Sequence, residues 1–367
     1  VNSTFARQFV FEELSNILAV SMTPQQIVGR LQKLHQLYTE QRDKISQASS
    51  LSAEDCAAYT FFYLPPNYAK LQFLLRHLGP VLQQQLARTI VIDVGSGPGT
   101  FSLAWHDLLN PIAPYHQSWA LEINSAMSTI AQKLLSTYRP SAQFNSVSQI
   151  NQINPQAGLD ITVIFGNSFN EMSPSECQKI LEKFKPKYIL MIEPGTPEVF
   201  NKLMEFRKNY LNQDYQCLYP CPQGKADCPM VAQADWCHQL MRYQPDPWLS
   251  KIAQKLEIDR QRMPLLAHCY QRSTDRAQNS IGTLGRSVRF MGDYKHAVGL
   301  QLCLNSSTSE HAGIELREVE FLKRSLDKVS TQKLLNIEVG EEINGEWLKL
   351  LDEKNRRWRA NFAMDEK

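Results

Sequence analysis

Several features are missing from this 367-residue chain, and each absence narrows what it is. No apolar run approaches the roughly 18 residues that a membrane-spanning helix needs. One-sided charge is missing too: 39 Lys and Arg face 37 Asp and Glu, a net +2, so a nucleic-acid contact has to come from a local patch. Val1 to Arg7 have neither the apolar stretch of a secretory signal nor the Arg-rich character of a transit peptide. Internal repeats and low-complexity tracts are also lacking. Eight cysteines are too few for a disulfide scaffold in a chain this long. What remains is the composition of a folded protein, 43% hydrophobic, 10% aromatic and 21% charged, with length for two or three modules.

The pattern along the chain divides it into four segments. Residues 1–80 read as a helical preface. Thr23-Pro24-Gln25-Gln26 carries an N-cap, a first-turn proline and a capping-box glutamine, and Ile27, Leu31 and Leu34 follow at helical spacing. A second helix is predicted from Ser52 to Pro65-Pro66, and a third from Tyr68 to Leu78, stopped by Gly79-Pro80. Residues 81–212 alternate short β-branched runs (89–94, 119–122, 161–165, 188–193) with helical stretches (125–135, 174–184), which predicts a parallel α/β sheet covered on both faces. Residues 213–310 form a Cys- and Pro-rich segment running into a basic stretch. Residues 311–367 read as β-rich, with runs at 314–322 and 334–339 and a basic helical tail over 347–362.

The sharpest motif is Asp93-Val94-Gly95-Ser96-Gly97-Pro98-Gly99, a buried strand running into three alternating glycines and then a helix. Glycine suits a turn with unusual dihedrals that a ligand must approach closely. The spacing is G-x-G-x-G, whereas the dinucleotide fingerprint is G-x-G-x-x-G. Glu122 ends the next strand, 23 residues after Gly99, where a carboxylate is placed for two ribose hydroxyls. Asp93 is placed for an amino group. This combination resembles the class I S-adenosylmethionine-dependent methyltransferases. The resemblance implies a cofactor site made by Asp93, Gly95, Ser96, Gly97, Pro98, Gly99 and Glu122, with Asn167 beside the adenine or the acceptor base. A plain tight turn and a nicotinamide-type site are the competing readings. The segment Gly166-Asn167-Ser168-Phe169 lacks the Pro-Pro-aromatic motif with which many amino-methylating enzymes hold their target nitrogen, so no catalytic residue is assigned.

Four cysteines cluster between Cys217 and Cys237. Cys221, Cys228 and Cys237 are separated by six and eight residues in Pro-Cys-Pro, Cys-Pro and Asp-Trp-Cys-His contexts, a spacing that suits thiolates converging on a metal rather than a zinc ribbon. His238, Cys217, Cys269 and Cys303 are candidates for a fourth ligand. Zinc, an iron–sulfur cluster, plainly buried cysteines and a Pro-Cys nucleophile all remain open on spacing alone. These elements, with Glu193-Pro194-Gly195-Thr196-Pro197 and a later run ending at Cys303, resemble the ribosomal small-subunit methyltransferase-like family, which has mitochondrial and bacterial members. Gln223 stands where that family usually has His.

The resemblance implies a [4Fe–4S] cluster on Cys221, Cys228, Cys237 and Cys303, with zinc as the alternative. It also implies small-subunit rRNA or a pre-ribosomal subunit as partner. The activity expected is rRNA methylation, or else non-catalytic assembly on pre-rRNA. A monomer without membrane association is expected, in a bacterial cytoplasm or a mitochondrial matrix. Residues 251–300 hold nine Lys and Arg against four Asp and Glu, a local +5 that suits RNA phosphates. Arg356, Arg357, Trp358 and Arg359 in the tail are expected to add guanidinium and stacking surface.

Overall fold

The structure is a computed structural model that describes residues 7–40, 51–109, 117–211, 214–221, 227–273, 283–306, 313–352 and 357–364. Two compact units make up the chain: Val1–Glu193 with Met241–Met263, and Pro194–Leu240 with Pro264–Lys367. The helical preface and the glycine loop fall in the first, the cysteine segment and the β-rich part in the second.

The first unit begins with α1 (Phe11–Leu18), α2 (Pro24–Glu40) and α3 (Ala53–Leu86). Thr23 and Gln26 form the expected capping box, with Gln26 N donating to Thr23 Oγ1 over 3.3 Å and Thr23 N to Gln26 Oε1 over 2.8 Å. Ser52 caps α3 by accepting from Asp55 N. Pro65 and Pro66 do not stop this helix. Both are buried in it, and the flanking Phe61, Phe62, Leu64 and Tyr68 are almost wholly inaccessible, so packing outweighs two lost backbone donors. The one non-helical residue inside it is Gly79, with φ 73°.

The sheet of this unit contains β1 (Ile90–Val94), β2 (Gln117–Leu121), β3 (Gln143–Val147), β4 (Ile161–Gly166) and β5 (Tyr188–Pro194). They run parallel in the order β3-β2-β1-β4-β5. Between them lie α4 (Thr100–Leu109), α5 (Ser125–Tyr138) and α6 (Pro174–Phe184). All five residues of β1 are buried, as a central parallel strand requires. The strand order reverses at β1, so the crevice outside its carboxyl end is a topological switch point, where open α/β sheets bind ligands. β3 was not predicted: Gln143–Val147 is polar and only partly buried. The helix Pro247–Lys255 also belongs to this unit, and its Trp248 indole donates to Phe9 O over 3.0 Å.

The second unit contains α7 (Pro197–Phe206), β6 (Tyr215–Tyr219), a short helix at Pro229–Ala232, β7 (Gln239–Arg242) up to Leu240, and β8 (Arg262–Arg272) from Pro264 on, with β6 and β8 antiparallel. Then comes a closed five-stranded barrel of β9 (Thr283–Asp293), β10 (Ala297–Ser306), β11 (Gly313–Leu322), β12 (Glu342–Asp352) and β13 (Arg357–Ala363), ordered β10-β11-β13-β12-β9. Val298, Leu300 and Leu302 of β10 point into its core with Val319, Phe321 and Ile343. Each such side chain contributes on the order of 1.5–3 kcal/mol by leaving water.

Two expectations are corrected here. The run 334–339 is not a strand, because Lys328–Leu335 is a helix capped by Asp327. The tail expected to be helical over 347–362 is strand over its described residues, because β12 and β13 pair antiparallel from Asn344–Ala363 to Asp352–Arg357. Its apolar residues recur at a helix-like spacing, but closing the barrel requires strands.

Candidate functional site

At the carboxyl end of β1, Gly95, Gly97 and Gly99 have φ of 62°, 53° and 74°, the left-handed region that side chains disfavour. A Cβ at Gly95 would lie 2.6 Å from Ser168 Cβ, and one at Gly99 would lie 2.8 Å from Ala131 Cβ. At Gly97 the same position is open, with no atom within 4 Å. The outer glycines therefore serve packing, and the middle one leaves space.

Glu122 braces this loop. Its Oε2 accepts from Gly97 N over 2.8 Å and its Oε1 from Asn124 N over 2.7 Å. Burial raises its pKa and those backbone donors oppose the shift. Asp93 is fully buried: Oδ2 accepts from Ser102 N and Oγ at 3.0 and 2.9 Å, while Oδ1 has no partner among the described residues. Burial pushes this carboxyl up to about 7, against the pull of Ser102 and with a push from Glu122. The buried hydroxyls of Ser96 and Ser168 are likewise unpartnered. Pro98 is buried in the turn.

Asn167 follows β4 with φ 56°, and its side-chain oxygen accepts from Lys70 Nζ over 3.1 Å. The next residues are held by Glu193, a carboxylate with no exposure that accepts from Ser168 N at 3.0 Å and Phe169 N at 2.9 Å. Burial lifts Glu193 to about 8 and lowers Lys70 to about 8, the latter with help from Arg260. Arg260 lies over the Phe62 and Tyr63 rings, 4.2 and 5.0 Å from their centroids. Sequence reasoning missed Lys70 and Arg260 in this role and named Glu193 only within a family element. The one available signal was a lysine on the apolar face of a helix, between Asn67 and Leu71.

In the second unit, Cys221, Cys228, Cys237 and Cys303 line one cavity, with Phe200, Met204 and His268 among its other walls. Cys303 reaches it because it alternates with the core residues Leu302 and Leu304 and so faces out of the barrel. Cys269 lies instead within the β6–β8 pair, opposite Tyr219. Among the described residues, no three cysteine sulfurs lie within 4.8 Å of one another. Arg207 is only 2% exposed, and its Nη1 donates to Cys221 Sγ over 3.1 Å. Hydrogen bonding with Cys217 depresses the Cys221 pKa, and Arg207 adds to this against the desolvation cost. Burial raises Cys228, Cys237 and Cys303. The ring of His238 stacks on Trp236 with centroids 5.7 Å apart.

The basic segment is divided between the two units. Lys251, Lys255, Arg260 and Arg262 belong to the first unit, and Arg272, Arg286, Arg289 and Lys295 to the second. Arg276 lies outside the described residues. Arg289 pairs with Asp235 over 2.7 Å. The tail cations are also engaged, since Arg357 and Arg359 both bond Glu320 of β11, and Trp358 packs against Trp347 with Arg317 over both rings. The expected stacking surface of the tail is thus largely spent within the barrel. Arg356 lies outside the described residues.

A glycine-rich turn at the switch point of a parallel 3-2-1-4-5 sheet, with an acid ending the second strand, defines a Rossmann-like domain of the class I methyltransferase type. Within that class, the chain belongs to the family described as mitochondrial small ribosomal subunit Rsm22, whose family model matches residues 53–313. No curated protein is detectably similar in sequence. Among solved structures, a candidate RNA methyltransferase from Pyrococcus horikoshii is similar at 9% identity and TM-score 0.36, over 57% of this chain and 84% of that one. A precorrin-6y C5,15-methyltransferase from Geobacter metallireducens is similar at 11% and 0.32, over 53% and 86%. A SAM-dependent methyltransferase from Aquifex aeolicus is similar at 15% and 0.27, over 39% and 73%.

Proposed function

We propose that the chain binds S-adenosylmethionine in the first unit and a [4Fe–4S] cluster in the second, and acts on the rRNA of the small ribosomal subunit as a methyltransferase-like protein. The observation that carries the cofactor reading is the orphaned Oδ1 of Asp93 beneath a glycine turn braced by Glu122. An unserved buried acceptor calls for a donor, and the ammonium of a methionyl group is one. With three backbone donors, Gly97, Asn124 and Ile123, on its four acceptor sites, Glu122 keeps one for a ribose hydroxyl. Gly97 leaves room for the ligand, and Asn167 stands on the acceptor side. When bound, S-adenosylmethionine supplies an electrophilic methyl group; the residues present bind and orient it.

The four cysteines on one cavity support a thiolate-bound metal centre, and the family resemblance, rather than their spacing, favours a [4Fe–4S] cluster over zinc. A buried guanidinium against Cys221 also offsets the negative charge of a thiolate-bound centre. Such a centre would fasten irregular segments that bury little on their own.

A second reading, a non-catalytic assembly factor on pre-rRNA, is favoured by the loop after β4. Its Asn167 oxygen is taken by Lys70, and it has no Pro-Pro-aromatic grip. The family description supports a mitochondrial setting for this chain's relatives and a ribosomal partner. Titration calorimetry with S-adenosylmethionine and methyl transfer to purified small-subunit rRNA separate the readings. Glu122→Ala is expected to weaken cofactor binding at least ten-fold. Cofactor binding without any methyl incorporation supports the assembly-factor reading, and no cofactor binding at all refutes the methyltransferase reading.

A further inference from the structure

We propose that the barrel of the second unit is a single-stranded RNA-binding module whose base-stacking platform is Tyr294. This rests on the rRNA reading above and gives it a contact surface. Numbered one to five along the chain, the barrel strands neighbour one another in the cyclic order one-two-three-five-four. The third and fifth, β11 and β13, are parallel, and every other pair is antiparallel. The helix Lys328–Leu335 connects the third to the fourth. That is the topology of the five-stranded Greek-key barrel that binds oligonucleotides and oligosaccharides, chiefly over strands two and three and the loops joining strands one to two and four to five.

Topology alone does not assign a function, and the surface has to carry it. The turn between strands one and two is built around Tyr294, whose N donates to Ala297 O over 2.9 Å. Gly292 and Gly299 are cross-strand partners directly beneath it. A Cβ at Gly299 would lie 2.6 Å from Tyr294 Cε2, and one at Gly292 would lie 2.9 Å from Cε1, so the ring rests on bare backbone. The tyrosine stays 39% exposed. A ring immobilised from below and open above is ready to stack on a base, which every base tolerates because each has a π-face. The charge also suits a phosphate backbone. The acid of the turn, Asp93's counterpart in name only, is Asp293, which Lys323 neutralises at 2.5 Å, and Lys295 and His296 in the same turn are exposed. These favour nucleic acid over neutral sugar.

Aromatic rings also cover glycines simply to stabilise sheets, so the test separates cover from stacking. The full chain is titrated with a fluorescent twelve-nucleotide oligouridylate and with a duplex RNA of equal length. Tyr294→Leu keeps an apolar cover but has no π-face; Tyr294→Trp keeps both. Tyr294→Leu is expected to weaken single-strand binding about ten-fold or more, in the range of one lost stack, with duplex and S-adenosylmethionine binding unchanged. Tyr294→Trp is expected to bind as the parent does. Parental single-strand affinity in a folded Tyr294→Leu variant overturns the inference and leaves this ring as a protein contact. In that case retained binding of small-subunit rRNA leaves the rRNA reading standing, whereas a parent protein that binds neither oligouridylate nor rRNA removes both.

Discussion

Asp93 sits on a strand with no exposed residue, and one of its carboxylate oxygens goes unserved. Burial lifts its pKa to about 7, from about 4 in an unfolded chain. Between those values the native state holds a proton that the unfolded state has released. Its contribution therefore lowers stability as pH rises from about 4 to about 7, by on the order of a few kcal/mol. Asp93→Asn should make the decline of the urea midpoint over that window shallower; an unchanged slope would assign the decline to other groups. The cysteines allow a second prediction at this scale. Cys303→Ala should abolish bound iron and sulfide after anaerobic purification, while Cys269→Ala, held within the β6–β8 pair, should retain both. The glycine turn was legible in the sequence because few residue types tolerate positive φ. Lys70 and Arg260 were not, since their roles arise from helices and loops far apart in the chain.

Elements were legible wherever local chemistry and tertiary packing agree. Ser173-Pro174 with Glu176 forms a full capping box, and α6 spans Pro174–Phe184 as its pattern predicts. α3 runs through two prolines because its buried face supplies what the backbone loses, information that no local window holds. The tail misled in the opposite direction. Its strands are specified by pairing with one another and with β11, and pairing is a property of distant residues. Gly345 shows how tightly that pairing is set: φ is 157°, and a Cβ there would lie 1.9 Å from Asn361 O. Gly345→Ala should therefore disrupt the β12–β13 ladder and speed amide exchange along it, at a cost of about 1–3 kcal/mol. Unchanged protection in both strands would count against the described register.

At the scale of the whole molecule, the sequence disclosed a methyltransferase-like half and a cysteine-bearing half but not their exchange of chain. Met241–Met263 leaves the second unit to complete the first. Trp248 of that excursion bonds Phe9 O, and its indole lies 5.5 Å from Phe11 and 6.3 Å from Phe61. Trp248→Ala should lower the stability of the first unit by about 2–4 kcal/mol, read as a drop in its thermal midpoint. No drop would mean that the excursion is a passenger. The excursion also bears on the order of events at the exit of a translating ribosome. The glycine turn and all five parallel strands emerge early, but the helical preface waits for its tryptophan until Met263 has passed. Through that interval the nascent chain has already released three of its four cavity cysteines, with the fourth still to be synthesised.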